Sequence, residues 1–237
     1  MTIPETIAID GPAASGKSTL GKRLADAFGY LFFDTGVMYR AITLVAGQKE
    51  LDLRDEAGVS ALAENTEIDV QNPSREDGRN CDILADGQDV TWQIRRPEVE
   101  ANVSLVSSYQ GVRQALTEQQ RRIGLRGRVV MVGRDIGTVV LPEAQVKIYL
   151  DASAEERARR RCLELTLRGE PACYEEILAA MRERDRFDST RQIAPLRPAE
   201  DAIILNSDGM DADQVFENTK IIVETRLSAD HITDERS

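Results

Sequence analysis

A chain of 237 residues, 41% hydrophobic and 30% charged, has material for one sizeable core, or for a core and a small insert. Its formal charge of −11 argues against a nucleic-acid binder. No apolar run approaches the roughly 18 residues that a membrane span needs. Met1-Thr2-Ile3-Pro4-Glu5-Thr6 has neither a basic end nor an apolar stretch of signal-peptide length, so the expected compartment is the cytoplasm.

The cysteines Cys81, Cys162 and Cys173 are odd in number and form no C-x-x-C pair, which points to neither a disulfide framework nor a zinc site. The only histidine, His231, lies near a polar C-terminus and reads as a solvated tail residue, so histidine catalysis is not expected. Arginine clusters between Arg113 and Arg134, again between Arg157 and Arg168, and again between Arg182 and Arg191. In an acidic protein such clusters fit a small polyanionic ligand, although most arginines of this kind sit on solvated helix faces beside Glu and Asp.

Thr6-Ile7-Ala8-Ile9-Asp10 is short, apolar and β-prone, and predicts a buried strand. After a glycine loop, Ser18 to Phe28 carries apolar residues at helical spacing, and Gly29 stops it. Leu31-Phe32-Phe33 is a second strand, and Val37 to Ala46 a helix ending at Gly47. Over 66–94 the pattern changes. Glu67 to Gln71, Cys81 to Ala85 and Asp89 to Trp92 are short possible strands, separated by the turn signals Asn72-Pro73, Asp77-Gly78 and Asp86-Gly87. That stretch predicts a small antiparallel insert between core segments 1–65 and 95–237. Val99 to Arg126 is helical, Arg128 to Val132 and Val146 to Leu150 are strands, and Ala154 to Arg168 and Tyr174 to Arg186 are helices. Ala202 to Leu205 is a last strand, followed by a helix from Ala212 to about Leu227 and a tail expected to be disordered. Strands alternating with helices predict an α/β fold, a parallel sheet with helices on both faces, whose ligands bind beyond the carboxyl ends of the strands.

Gly11-Pro12-Ala13-Ala14-Ser15-Gly16-Lys17-Ser18 matches the phosphate-loop pattern G-x-x-x-x-G-K-[ST] in every position. Glycines permit unusual backbone angles and close approach of a phosphate. Successive N–H groups then face one concavity, and the next helix presents its positive end to the anion. Lys17 is placed to reach the β- and γ-phosphates, and the Ser18 hydroxyl to hold Mg²⁺. The motif predicts nucleotide binding and leaves the reaction open. A guanine-reading N-K-x-D is missing, since Asn206-Ser207-Asp208 lacks the lysine, and so is an L-S-G-G-Q-like segment. A small-molecule kinase remains, and it needs a second anion site, for which arginine's planar, always-charged fork is suited.

Four segments carry a family resemblance: Ile9-Asp10-Gly11-Pro12-Ala13-Ala14-Ser15-Gly16-Lys17, Asp34-Thr35-Gly36-Val37-Met38-Tyr39-Arg40, Gly133-Arg134-Asp135-Ile136-Gly137-Thr138-Val139-Val140 and Arg184-Asp185-Arg186-Phe187-Asp188-Ser189-Thr190-Arg191. In this order, with Ala194-Pro195-Leu196 after them, they resemble bacterial cytidylate kinases over about residues 6–225. The resemblance implies a P-loop kinase core, a small antiparallel insert for the acceptor at 66–94 and a helical lid at about 157–172. It implies transfer from ATP, with Mg²⁺, to CMP or dCMP by a monomer. Residues 11–19, including Thr19, would hold ATP, with Arg157 and Arg161 closing over it. Thr35, Arg40, Arg134 and Arg191 would hold the acceptor phosphate, and Arg184 and Asp188 the sugar. Ser104, Arg113 and Asp135 would read cytosine; an Asp can accept from its amino group, where the O4 of uracil would meet an acceptor. Lys17, Arg134, Arg184 and Arg191 would stabilise the transferred charge. Simpler readings stand beside these: Arg134-Asp135 as an internal ion pair, Tyr39 as core, Asp34 as a helix cap. Two other functions also remain open: a P-loop kinase for UMP or a metabolite such as shikimate, and a nucleotide-dependent switch without acceptor turnover.

Overall fold

The computed structural model of the protein describes residues 5–191 and 193–234, with side chains in the last helix as far as Arg226. The readings of residues 1–4 and of the His231 side chain lie outside what is described. The chain opens with β1 (Thr6–Asp10), α1 (Lys17–Phe28), β2 (Leu31–Asp34), α2 (Gly36–Gln48) and α3 (Glu56–Asn65). Next come β3 (Ile68–Gln71), β4 (Asp82–Ala85), β5 (Gln88–Asp89), α4 (Pro97–Val106) and α5 (Gln110–Gly124). Then follow β6 (Val129–Gly133), β7 (Val146–Asp151), α6 (Ala154–Leu167), α7 (Tyr174–Thr190), β8 (Ile203–Asn206) and α8 (Ala212–Asp234).

Five strands form one sheet in the order β2-β6-β1-β7-β8, and three form another in the order β3-β4-β5. β7 runs parallel to β1, with Asp10 opposite Tyr149, and parallel to β8, with Asp151 opposite Asn206. Every residue of β1 and β6 is buried, the signature of strands covered on both faces. β8 ends the order and leaves Ile204 exposed.

The chain divides into two compact units, one containing Phe28–Met131 and the other Ile7–Ala27 and the residues from Val132 on. In the first, β3, β4 and β5 pair antiparallel, Ile68 with Ala85 and Leu84 with Asp89. Asp86 and Gly87 turn the β4–β5 hairpin with φ of +47° and +78°, which suits the primed turn that matches strand twist. Helix α5 covers β3: Gln119 accepts from Ile68 N at 2.7 Å and donates to the Thr66 carbonyl at 3.0 Å, while Arg126 pairs with Asp69 at 2.7 Å.

Several elements differ from expectation. The third insert strand stops at Asp89, because the Asp89 side chain accepts from Thr91 N and the Thr91 hydroxyl accepts from Ile83 N, turning the chain into a 3-10 turn at Gln93–Arg95. The helical pattern over 99–126 is two helices. Ser107 and Ser108 donate their hydroxyls to the Ser104 and Leu105 carbonyls, competing with the helix ladder, and Tyr109 is extended. Helix α3 was not anticipated; the Asp55 carboxylate caps it by accepting from Gly58 N at 3.1 Å. The last helix runs on to Asp234 because no proline or glycine interrupts it after Leu227.

Candidate active site

The phosphate loop joins β1 to α1. A side chain at Gly11 would collide with the Leu150 carbonyl of neighbouring β7, so only glycine permits that approach. Gly16 takes φ +91° and Ala14 takes φ +60°, the alternation that turns successive N–H groups inward. Lys17 is buried and donates to the Pro12 carbonyl at 2.8 Å, folded over the loop it serves. Ser15 Oγ is buried without a hydrogen-bond partner among the described residues, a polar atom facing a loop built for an anion. Ser18 and Thr19 are exposed at the start of α1.

Behind the loop, Asp10 ends β1 almost fully buried. Its two carboxylate oxygens accept from Ile136 N at 2.8 Å and Gly137 N at 2.7 Å. Burial pushes this carboxyl up to about 6 against the pull of those two N–H groups; Asp135 adds to the rise and Lys17 opposes it. Ile136–Val140 is a single π-turn opened by Asp135, itself buried. Turns of this kind concentrate at functional sites.

Helix α7 supplies Asp188, 5% exposed at the side chain, around which Arg134, Arg184 and Arg191 converge. Arg134 Nε bonds its Oδ2, Arg184 Nε stands 3.9 Å from the same oxygen, and Arg191 Nη1 stands 3.7 Å from Oδ1. Arg191 Nε also donates to the Ala194 carbonyl at 2.5 Å, and Leu196 N to that of Asp188 at 2.8 Å, which folds the segment after α7 back onto it. Cations from the residue after β6, from α7 and from the residue that ends α7 thus share one carboxylate.

Arg157 and Arg161 lie on α6 in different settings. Arg157 is buried; it donates to the Ala13 carbonyl of the phosphate loop at 2.9 Å and to the Ala152 carbonyl at 3.0 Å, and is paired with Asp185. Arg161 is 40% exposed and pairs with Glu164 on its own helix.

Thr35, Arg40, Ser104 and Arg113 belong to the first unit. Asp34 accepts from Gly36 N at 3.0 Å and so caps the start of α2, and Thr35 beside it is buried. Arg40 is held by Glu100 of α4. Arg113 is buried, its guanidinium 5.8 Å from the centre of the Tyr39 ring, and Tyr39 is itself core. Ser104 is exposed on α4, and its carbonyl, not its hydroxyl, is engaged by Ser107.

Asp10 and Asp185 received no role from sequence reasoning. Both lie inside quoted motifs, and a carboxylate ending an otherwise apolar buried strand was a readable signal. Among the described residues no cluster of His, Cys, Asp and Glu could hold a metal unaided. No helix among them is long and apolar enough to cross a membrane.

The family described as cytidylate kinase matches residues 7–225. The cytidylate kinase of Herpetosiphon aurantiacus is 52% identical over 217 residues, covering 92% of this chain and 93% of that one. That of Chloroflexus aggregans is 55% identical over 210 residues, covering 89% and 90%. That of Citrifermentans bemidjiense is 46% identical over 222 residues, covering 94% of each. With a phosphate loop, an arginine cluster on a buried aspartate and a match across nearly the whole chain, this protein belongs to the cytidylate kinase family.

Proposed function

We propose that this chain transfers the γ-phosphoryl group of ATP to CMP or dCMP, giving ADP and CDP or dCDP. The observation that carries this reading is the gathering of Arg134, Arg184 and Arg191 on Asp188, in the unit that holds the phosphate loop. Three guanidinium groups converging on one buried carboxylate suit a bound phosphate. Phosphoryl transfer needs such charge more than it needs a protein nucleophile.

The loop N–H groups and Lys17 hold the donor phosphates, with Lys17 leaving the Pro12 carbonyl for the γ-phosphate. Thr35, Arg40, Arg134 and Arg191 are assigned to the acceptor phosphate. Arg184 and Asp188 are assigned to the sugar, and Ser104, Arg113 and Asp135 to cytosine. Arg157, anchored on Ala13, sets the loop's shape on the ATP side, and Arg161 reaches ATP only by leaving Glu164. An acceptor phosphate oxygen, already ionised, attacks the γ-phosphorus in line. The new P–O bond forms as the β–γ bridging bond breaks, and the electron pair leaves with ADP. Lys17, Arg134, Arg184 and Arg191 neutralise the charge spread across the transferred group. The helices flanking Gly169, read as a lid, exclude the water that would otherwise take it.

Magnesium fits this donor set. Ser18 offers one exposed hard oxygen, and Mg²⁺ favours one or two protein oxygens with substrate phosphates and waters over an all-protein cage. When bound it would neutralise charge between the β- and γ-phosphates. The same reading takes the segment 66–94 as the acceptor insert and the chain as a cytoplasmic monomer acting on small molecules, without nucleic acid or membrane.

The test is ADP release from Mg·ATP with each nucleoside monophosphate in turn, and with shikimate. Strong stimulation by CMP and dCMP, weak by UMP and negligible by the others, is expected. Stimulation by another acceptor alone would overturn the cytosine-reading roles, and stimulation by none would reduce the chain to a nucleotide binder. Lys17→Ala is expected to lose at least ~10³-fold in kcat.

A further inference from the structure

We propose that Asp10 is a positioning residue. Its ionised carboxylate grips the successive N–H groups of Ile136 and Gly137 and so fixes Asp135 against the strand that carries the phosphate loop. The proposal rests on the function proposed above, because the placement of Asp135 affects turnover only if Asp135 meets the acceptor.

A helical turn begins with N–H groups that have no partner within it, and a side chain at the residue before it normally accepts from them. Asp135 occupies that residue and is a good capping type, yet its side chain makes no capping bond to the π-turn. Asp10, far away in sequence, accepts both bonds instead, one oxygen to each N–H. The Asp135 carboxylate is thereby not used in capping. Its backbone remains pinned, since Val139 N and Val140 N both donate to the Asp135 carbonyl, at 2.8 and 3.2 Å.

Gly137 packs closely at the same contact. A β-carbon there would touch Asp10 Oδ2 at 3.4 Å and press on the Lys147 side chain at 3.2 Å. Both Asp10 oxygens accept, and the ionised group is the stronger acceptor at each, so protonation weakens the clamp. An asparagine in its place would turn an NH2, which only donates, toward one of the two N–H groups.

The charged and titratable groups facing Asp10 are Asp135, Lys17 and, across the β1–β7 pair, Tyr149. Lys147 also lines the site, but its ammonium is paired with Asp201. Burial lifts the Asp10 carboxyl to about 6, above the ordinary value near 4. A raised acid gains protons on folding. Between pH 6 and 4 this group therefore favours the folded state as pH falls, so acid opens the clamp without unfolding the chain through it.

The experiment uses the full chain labelled with ¹⁵N and no substrate. From pH 8 to 5 the amide protons of Ile136 and Gly137 are expected to shift together, with a midpoint near 6 that is absent in Asp10→Asn. Flat shifts, or the same shifts in the variant, would overturn the clamp. Kinetics are read at pH 8, clear of the proton that CMP's own phosphate takes up near 6. There, Asp10→Asn is expected to raise the KM for CMP about tenfold or more and the KM for ATP by less than about threefold, without a lower Tm. An unchanged KM for CMP, or an equal loss for both substrates with a fall in Tm, would overturn the positioning role. If CMP fails to stimulate the unaltered chain, the proposed function falls by itself, while the amide titration still judges the clamp.

Discussion

Two ion clusters in this chain use the same residue types in opposite ratio. In the antiparallel insert, the buried Arg79 guanidinium meets Asp77, Asp82 and Asp89, each at 2.8 Å. On α7, the buried Asp188 carboxylate meets Arg134, Arg184 and Arg191. The first cluster is tied further into the insert. Asp77 also accepts from Trp92 Nε1 at 2.9 Å and Asp82 from Ser74 N at 3.1 Å, so the network ties together an irregular stretch that has no ladder of its own. The second gathers three guanidinium groups on one carboxylate, the arrangement that the proposed function assigns to a phosphate. Under the proposed function, the ratio of cations to carboxylates is what distinguishes the phosphate-binding cluster from the structural one.

The sharpest way to break that contrast is Arg134→Ala. Its expected effect is a fall of about 10³-fold in kcat/KM for CMP with little change in Tm, read by initial rates and calorimetry. A loss below tenfold would move the Asp188 cluster into the structural class.

Next in size is Arg79→Ala, which leaves three carboxylates facing one another. It is expected to lower Tm by about 5 °C while kcat/KM for CMP stays within about threefold. Unchanged melting would mean that the insert does not need its knot.

The smallest effect is optical. Trp92 is the only tryptophan and is bonded to Asp77, so its fluorescence reports on the insert. Arg79, then Trp92, holds the Asp77 carboxyl well below the usual range, and the Thr91 hydroxyl, then Arg79, brings Asp89 down to about 2. Depressed acids stabilise the fold fully above their ordinary value near 4, and that contribution is lost as pH falls toward 2. Emission is thus expected to stay flat down to about pH 4 and change below it. A transition centred at 5 or above would contradict the paired state of Asp77.

Most strands and helices were legible because period and punctuation are local properties. β1, β7 and the Asp86-Gly87 hairpin follow from apolar runs and turn residues within a few positions. The break at Ser107–Tyr109 escaped because it depends on serine hydroxyls reaching carbonyls, which an apolar pattern over 99–126 does not record. Helix α3 left a readable trace in Asp55, Glu56 and the buried pair Val59 and Ala63.

By itself the sequence determined the phosphate loop, most of the α/β elements, the antiparallel character of the insert and the family. Each of these is written in contiguous residues whose spacing has one physical reading. Only the tertiary structure decided that Arg157 is a buried brace on the phosphate loop while Arg161 is a surface partner of Glu164. It alone decided that Arg134, Arg184 and Arg191 meet on Asp188, and that Asp10 caps a turn it is nowhere near in sequence. Charge pairing and capping depend on distance in space, and a side chain's partner is chosen by the fold that brings it within about 3 Å.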